Sequence, residues 1–396
     1  MNSRTVWIDS SASQRYRFHD DHPFHPIRLM LTERLLRQAD ALRPSQILDS
    51  LQAEAAEIAV RELHRPDYVD AVQALSAEKP AAEAIRRAAE FGLQQDGDTP
   101  YFPCMHEAAL SVVAGSLAAA EAVMSGAAGR ALHLAGGLHH AFPERAAGFC
   151  VYNDAAAAIS MIRRKYGARV LYVDTDVHHG DGVQWFYYTD PDVFTFSIHE
   201  TGKFLFPGTG FAHERGESSG YGACLNVPME PYTEDESWLE CFETALHAAI
   251  ASFRPDVIVS QHGCDAHAFD PLAHIHCSMR IYREMPRIIR EAADRYTEGK
   301  WVALGGGGYD HWRVVPRAWS LLWLEMSGHP LLAAIDAAEA GHPLPADWPS
   351  ADLGECPPRM PDRWLDDTAV WTPMPRRAEI TANNKKMLEL ALQHLG

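Results

Sequence analysis

The sequence lacks closely spaced cysteine pairs, a signal sequence and long hydrophobic runs. Its seven cysteines form no C-x-x-C pair, which suits a reducing compartment better than a disulfide framework. The first 24 residues contain no hydrophobic stretch typical of a signal peptide. No run approaches the roughly 20 apolar residues that span a membrane. We therefore expect a cytoplasmic protein with no membrane partner.

A surplus of basic residues is also missing. The 396-residue chain carries a formal net charge of −18, which argues against direct nucleic-acid binding because phosphate recognition needs a basic surface. The charge is compatible with basic substrates such as lysine-bearing chains or polyamines, although solubility is the simpler explanation.

Internal repeats and flexible linkers are absent too, so we expect one large domain. A hydrophobic content of 47% with 10 tryptophans is enough for a large packed core. We predict a catalytic domain over residues 1–330 and a C-terminal extension over 331–396. The extension holds a Pro-rich tail at 343–375 and a final helix near 381–395, and we expect it to pack on or beside the domain. Oligomerisation is compatible with this organisation.

The order of the predicted elements indicates an α/β fold. Short apolar runs alternate with helical segments, as in βαβ units that build a parallel sheet. The predicted strands are Thr5–Ile8 and residues 131–135, 169–174, 193–198, 256–260 and 300–304. The main predicted helices cover residues 29–40, 83–94, 107–124, 153–165, 234–252 and 278–297. Residues 199–232 are rich in Gly and Pro and predict a long loop, and Pro66 predicts a turn.

The most informative segment is Val170–Gly182, VLYVDTDVHHGDG. Its apolar start predicts a buried strand, and side chains two apart along an extended segment point the same way. Asp174, Asp176 and His178 therefore line up where the strand ends. Buried carboxylates and imidazoles need a partner for their charge, and a divalent metal is an economical one. The alternative is a solvated loop rich in Asp, Gly and His.

Three other apolar runs also end in polar side chains. One leads into His139 and His140, one into QHGCDAH with Asp265, and one into GGGGYD with Tyr309. In open α/β sheets, ligands bind beyond the carboxyl ends of the strands. Four such ends predict one site assembled from four loops.

Within that site, histidine is the usual general base for a metal-bound water. His139 and His140 would each need an orienting partner, for which Asp174 and Asp181 are candidates. Tyr309 follows four glycines and is placed to donate to a developing oxyanion, although packing is the ordinary role of a lone tyrosine.

Other polar-loop residues leave alternatives open. Cys150 and Cys264 suit small-residue packing better than a nucleophilic role. Phe149 and Phe206 are either loop anchors or walls that clasp an aliphatic chain. The residues alone do not decide which of the histidines at 262, 267, 274 and 276 binds metal.

Several of these segments together resemble the zinc-dependent histone deacetylase family. The similar segments are GGLHHAFPERAAGFCVYNDAAAAI, VLYVDTDVHHGDGVQWFYYTD, FSIHETGKFLFPGTG, SQHGCDAHAFDPLAHI and LGGGGYDHWRVVPRAWSLLW. They occur in the family's order from about residue 20 to 325 and are most similar to its bacterial branch, the acetoin-utilisation deacetylases, which are class I-like. The resemblance implies the arginase/deacetylase fold, a single α/β domain with an eight-stranded parallel sheet flanked by helices.

The resemblance also implies roles for individual residues. The implied zinc ligands are Asp176, His178 and Asp265. The implied catalytic groups are His140 with Asp181 as general base and acid, His139 with Asp174, and Tyr309, which polarises the scissile carbonyl. The implied substrate contacts are Phe149 and Phe206 in the tunnel wall, Leu272, Gly148 as a backbone acceptor, Asp98 at the rim, and Arg28 in the acetate-release cavity. The implied potassium site comprises Asp174, Asp176, His178, Ser197 and Ile198.

Some positions depart from the class I pattern without removing a catalytic group. Leu205 stands where many relatives have an aromatic residue, and Leu272 where methionine is frequent. His267 and Phe269 are nearer to the bacterial branch. These differences bear on substrate preference rather than on the chemistry.

The resulting hypothesis is an amidohydrolase that removes acetyl or other acyl groups from lysine Nε of proteins or peptides. Zn²⁺ is the expected metal and Fe²⁺ the alternative, with a structural K⁺ beside it. The close alternative is an enzyme for acetylpolyamines or other small acetylated amines. A ureohydrolase of the same fold and a non-catalytic acyl-lysine binder are less favoured, the latter because every catalytic group is retained.

Overall fold

A computed structural model describes residues 4–339, 341–349 and 357–395. In these ranges one sheet holds eight parallel strands in the order β2-β1-β3-β8-β7-β4-β5-β6. The strands are β1 Thr5–Ile8, β2 Ile47–Leu48, β3 Arg130–His133, β4 Val170–Asp174, β5 Val193–Glu200, β6 Cys224–Met229, β7 Val257–Gln261 and β8 Trp301–Leu304. The predicted α/β fold with a single eight-stranded sheet is confirmed.

Helices cover both faces of this sheet. Their bounds are α1 Ile27–Gln38, α2 Ala53–Leu63, α3 Pro66–Leu75, α4 Ala82–Arg87, α5 Met105–Met124, α6 Asp154–Tyr166, α7 Asp181–Tyr187, α8 Asp235–Phe253, α9 Met279–Tyr296, α10 Val315–Ser327, α11 Pro330–Ala337 and α12 Arg377–Leu392. Successive residues of β4 point to opposite faces: Leu171 and Val173 join the core beneath α8, α9 and α10, whereas Val170 and Tyr172 join the core beneath α5 and α6. This alternation explains why the apolar run is continuous.

The four strands that end in polar side chains are consecutive neighbours, β3-β8-β7-β4. These strands are parallel, and their last residues lie opposite one another. His133 pairs with Leu304, and Asp174 pairs with Gln261. The carboxyl ends of all four strands therefore lie side by side at one edge of the sheet. The single site predicted from four loops follows directly from this order.

Two local predictions were wrong. Residues 199–232 are not one loop, because Cys224–Met229 forms β6 and pairs with β5. The preceding Gly-rich segment and Pro228 hid this strand, which tolerates proline because it lies at the sheet edge. Pro66 does not mark a turn but begins α3, where a proline loses no intrahelical hydrogen bond.

Helix α5 is long and apolar enough to cross a membrane by length and composition, contrary to the expectation that no run would be. However, 78% of its apolar window is buried inside the molecule. It packs against α6, α2 and β3. Its hydrophobicity is therefore accounted for by the protein core.

The C-terminal extension packs on the domain in its described parts. Trp364 is fully buried, and α12 lies against β6 and α8. Asn384 on α12 donates to Thr233 Oγ1 at 2.8 Å and to Ser237 Oγ at 2.9 Å. The Pro-rich segment lies in part outside the described residues, at 350–356, and the domain boundary at residue 330 stays a prediction.

Candidate active site

Asp176, His178 and Asp265 form a buried cluster at the ends of β4 and β7. Each offers one potential ligand atom, and these atoms all lie within 4.8 Å of one another. His178 Nδ1 lies 3.2 Å from Asp176 Oδ1 and 3.1 Å from Asp265 Oδ2. The three side chains predicted as ligands therefore converge. Asp174, which the strand pattern had grouped with Asp176 and His178, bonds His139 Nδ1 through Oδ2 and accepts the Asp176 N–H with Oδ1.

Glycines let the backbone approach these carboxylates. A Cβ on Gly307 would lie 2.2 Å from Asp265 Oδ2, and one on Gly263 would lie 2.3 Å from Asp176 Oδ2. The Gly307 N–H donates to Asp176 Oδ2 at 2.6 Å. The run of four glycines therefore serves close approach to the cluster.

The electrostatics of the cluster fit a divalent cation. Burial and the neighbouring charge of Asp176 raise the pKa of Asp265 to about 6. Burial lowers the pKa of His178, but hydrogen bonds to both carboxylates outweigh it and raise that pKa to about 10. Two crowded, buried carboxylates beside an imidazole nitrogen make a donor set that a metal ion would neutralise.

Two histidine–aspartate pairs lie beside the cluster. His139 Nδ1 is 2.8 Å from Asp174 Oδ2, and its Nε2 is 4.0 Å from Asp176 Oδ1. His140 Nδ1 is 2.7 Å from Asp181 Oδ1. In each pair the carboxylate bonds Nδ1 and orients the ring, so Nε2 is the nitrogen that can accept or donate a proton.

The two histidines differ in charge. Burial lowers the pKa of His139, but Asp174 and Asp176 outweigh it and raise that pKa to about 9. Burial and the charge of His139 lower the pKa of His140. His140 is therefore the neutral member, able to accept a proton.

Tyr309 faces the cluster from the loop after β8. Its backbone N–H donates to Asp270 Oδ2 at 2.7 Å. Burial and the nearby charges of Asp265 and Asp176 raise the pKa of its hydroxyl well above the ordinary value. The phenol therefore stays protonated and can donate a hydrogen bond.

Aromatic and backbone groups line the approach to these residues. The Phe206 ring lies 5.0 Å from that of His140, and the Phe149 ring lies 5.8 Å from that of Tyr309, both edge-to-face. The exposed Asp98 accepts the Gly148 N–H at 3.0 Å. The predicted walls and rim residue thus flank the histidine and the tyrosine.

Arg28 and Leu272 occupy different surroundings. Arg28 is buried, donates to the carbonyls of Gly306 and Gly308 at 2.9 and 3.1 Å, and lines a small pocket with Phe24. Leu272 is half-buried, and its N–H donates to Asp270 Oδ1 at 3.0 Å. Their assigned roles stay predictions.

The predicted potassium residues lie together on neighbouring strands. Asp174 pairs with Ser197 in the β4–β5 register, and Ile198 follows on β5. Asp176 and His178 continue the chain beyond β4. The cation itself stays a prediction.

Comparison with known proteins decides the family. The sequence model of the histone deacetylase domain matches residues 22–326. The acetoin utilization protein AcuC of Bacillus subtilis is 47% identical over 388 residues, covering 98% of this chain and 96% of its own. The chain belongs to the histone deacetylase family. The acetoin utilization protein AcuC of Staphylococcus xylosus is 41% identical to this chain and covers 99% of it. This deacetylase is therefore of the bacterial acetoin-utilisation type.

Solved structures of the family agree with this fold. The crystal structure of an HDAC homolog from Aquifex aeolicus is 28% identical, covers 98% of this chain and superposes with a TM-score of 0.77. An HDAC homolog complexed with SAHA gives the same TM-score. The family is metal-dependent, and the Asp-His-Asp cluster of this deacetylase is a possible metal site.

The remaining histidines and cysteines of the polar loops have other partners. His262 bonds Ser260 Oγ at 2.8 Å, and His274 bonds Glu200 at 2.8 Å. His267 bonds a carboxylate of the C-terminal extension. Burial raises the pKa of the Cys150 and Cys264 thiols well above the ordinary value, which favours packing over nucleophilic attack.

Sequence reasoning missed two carboxylates of the deacetylase site. Asp270 holds the backbone of Tyr309, and Asp154 accepts the N–H groups of Gly137 and Leu138, just before His139. The only signal for Asp270 was its place in the Asp-Pro pair of a polar loop. Asp154 gave none, since an aspartate in the first turn of a helix is ordinary.

Proposed function

We propose that this deacetylase removes acetyl groups from lysine Nε of proteins or peptides, with Zn²⁺ as its metal. The observation that carries the proposal is that three kinds of group converge on one spot. These are the Asp176–His178–Asp265 donor set, the neutral His140 and the protonated Tyr309. Fe²⁺ is the alternative metal, since one imidazole and two carboxylates accept either ion.

A bound divalent metal would polarise the substrate carbonyl and lower the pKa of a water to about 7. His140 takes the proton of the attacking water at Nε2, because its Nδ1 is engaged by Asp181 at 2.7 Å. The same nitrogen then protonates the leaving amine. Lysine and acetate are the products.

The Tyr309 hydroxyl donates a hydrogen bond to the oxygen of the scissile carbonyl as negative charge develops there. His139 stays protonated beside Asp174, and its positive charge stabilises the negative charge that develops on the same oxygen. Phe149 and Phe206 enclose the aliphatic chain and exclude water, and the Gly148 carbonyl accepts the substrate amide N–H.

The surface around the site supports a polypeptide substrate. Phe206 and Phe269, both in loops that carry site residues, are 45% and 40% exposed. The 199–232 segment returns into the sheet as β6, and its Phe206 lines an open pocket together with Asp98 and Asp181. Exposed aromatic residues of this kind are typical of peptide-binding surfaces.

The deciding experiment compares acetyl-lysine peptide with acetylputrescine, each with and without a chelator. We expect chelator-sensitive turnover with a higher kcat/KM for the peptide. Preference for acetylputrescine would establish the small-amine alternative, and binding of the peptide without turnover would establish a non-catalytic acyl-lysine binder.

Asp176→Ala tests the metal assignment in the same assay. We expect the variant to lose bound metal and activity together. The metal would lose one of its three protein ligands, and the proposed reaction needs the metal. Asp49→Ala, at an exposed position, is the control. Full metal content in Asp176→Ala, measured by elemental analysis, would contradict the assignment.

A further inference from the structure

We propose that the C-terminal extension is a working part of the active site, with Asp366 as a positioning residue and Trp371 as a rim residue. Both lie beyond residue 326, where the match to the deacetylase domain ends. The inference rests on the proposed function for the chemistry, but its structural core is independent of it.

Asp366 reaches from the extension into the domain. Its Oδ2 lies 2.9 Å from His267 Nε2 and accepts the Met279 N–H at 2.8 Å, and its Oδ1 accepts from Arg317 Nη1 at 2.9 Å. The side chains of Asp366, His267 and Arg317 are 8%, 0% and 1% exposed. Asp366 is thus a buried carboxylate held by His267 on one side and by Arg317 on the other. Removing one partner of a buried ion pair strongly lowers the free energy of unfolding.

His267 belongs to the loop between β7 and α9 that carries the site, which we call the ligand loop, residues 265–272. It begins with the predicted ligand Asp265. His267 Nδ1 accepts the Phe269 N–H at 3.1 Å. Asp270 then accepts the backbone N–H groups of Tyr309 and Leu272. Fixing His267 therefore constrains the predicted ligand Asp265, the tyrosine and the predicted substrate contact Leu272 together.

Trp371 contacts the outer part of the ligand loop. Its ring lies 5.6 Å from Phe269, 6.0 Å from His267 and 5.5 Å from His276. Arg313 covers Phe269 with its guanidinium 4.7 Å from the ring centre. Phe269 remains 40% exposed, so Trp371 sets the position of an aromatic residue that a bound peptide would meet.

The first test is Asp366→Asn, which places an amide N–H₂ against one of the donors that now face the carboxylate. Residues that orient metal ligands typically change affinity or activity by about 10–100-fold. Since Asp366 acts through His267, we expect roughly tenfold weaker Zn²⁺ binding and roughly tenfold lower kcat. Zn²⁺ affinity is measured by competition with a chromophoric chelator. The control is Asp362→Asn, whose side chain is 89% exposed.

Hydrogen exchange separates positioning from general stabilisation. We expect faster exchange in the ligand loop of Asp366→Asn, with parent protection retained in β4 and β7. Equal loss of protection throughout the sheet would show that Asp366 only stabilises the fold, and would overturn the positioning role. Parent affinity, kcat and exchange in a folded Asp366→Asn would overturn it as well.

Trp371→Ala tests the rim role in a side chain that is only half-buried. We expect KM for acetyl-lysine peptide to rise at least about fivefold with kcat within about threefold, the signature of lost binding rather than lost chemistry. Tyr296→Ala, an exposed aromatic at the end of α9, is the control. An unchanged KM would refute the rim role.

If the parent fails to turn over peptide, Zn²⁺ affinity and exchange still decide the role of Asp366, so failure of the proposed function remains distinguishable.

Discussion

Replacing Gly148 with alanine is expected to displace the ring of His140. The Gly148 backbone has φ +52°, and an added Cβ would lie 2.3 Å from His140 Cδ2 and 2.7 Å from its Cγ. Carbon atoms pack at about 3.5–4.0 Å, so the overlap exceeds roughly 1 Å. The neighbouring atoms must therefore move.

The ring has little room to yield. Its Nδ1 is bonded to Asp181 at 2.7 Å, and its centre lies 3.9 Å from that of His139 and 5.0 Å from that of Phe206. A displacement of about 1 Å at a reacting group costs roughly 10²-fold in rate. We expect kcat for Gly148→Ala to fall about 100-fold, and the free energy of unfolding by about 1–3 kcal/mol from overpacking.

The assay measures kcat on acetyl-lysine peptide, metal content and the free energy of unfolding. Gly167→Ala is the matched control, because Gly167 has φ +63° but no atom within 4 Å of the added Cβ. Gly167→Ala therefore has the strain of a positive φ but no steric contact between the added Cβ and another residue. If kcat of Gly148→Ala stayed within about threefold of the control, steric displacement of His140 would be refuted.

Three further predictions follow from the site and its support. Tyr309→Phe should keep fold and metal while kcat falls about 10²–10³-fold; a loss within about threefold would remove its role as oxyanion donor. His140→Ala should abolish turnover, whereas His139→Ala should retain more activity with a shifted pH–rate profile; the reverse result would exchange the two roles. Burial raises the pKa of Asp366, but His267 and Arg317 outweigh it and hold that pKa well below its ordinary value. The stability that Asp366 contributes is therefore present above about pH 4 and lost as the pH falls below it. The Tm difference between the parent and Asp366→Asn should shrink in acid, and a constant difference from pH 7 to pH 3 would contradict this assignment.

Local pattern was enough to locate the chemistry. Asp176 and His178 follow an apolar run at alternate positions, and each of the other three polar strand ends contributes to the site. These signals work because strand periodicity and the location of sites in parallel sheets are local or general rules. The family's motif order then supplied roles that spacing alone left open.

Choosing among the histidines near Asp265 required long-range contacts. His262, His267 and His274 sit in equally polar sequence, yet each bonds a different partner, at Ser260, Asp366 and Glu200. The partner of His262 is two residues away, but the partners of His267 and His274 are 99 and 74 residues away and have no local signal. Only the pairing of β4 with β7 brings Asp265 to His178.

The sequence by itself determined the α/β class, the four chemical strand ends and the family. Tertiary structure decided which residues meet, because strand order and register set distances between segments far apart in the chain. It also decided the place of the C-terminal extension: Asp366 meets His267 across 99 residues. The segment around Asp366 is rich in Pro and Asp and carries no periodic signal, so its contact with the ligand loop is visible only after the chain has folded.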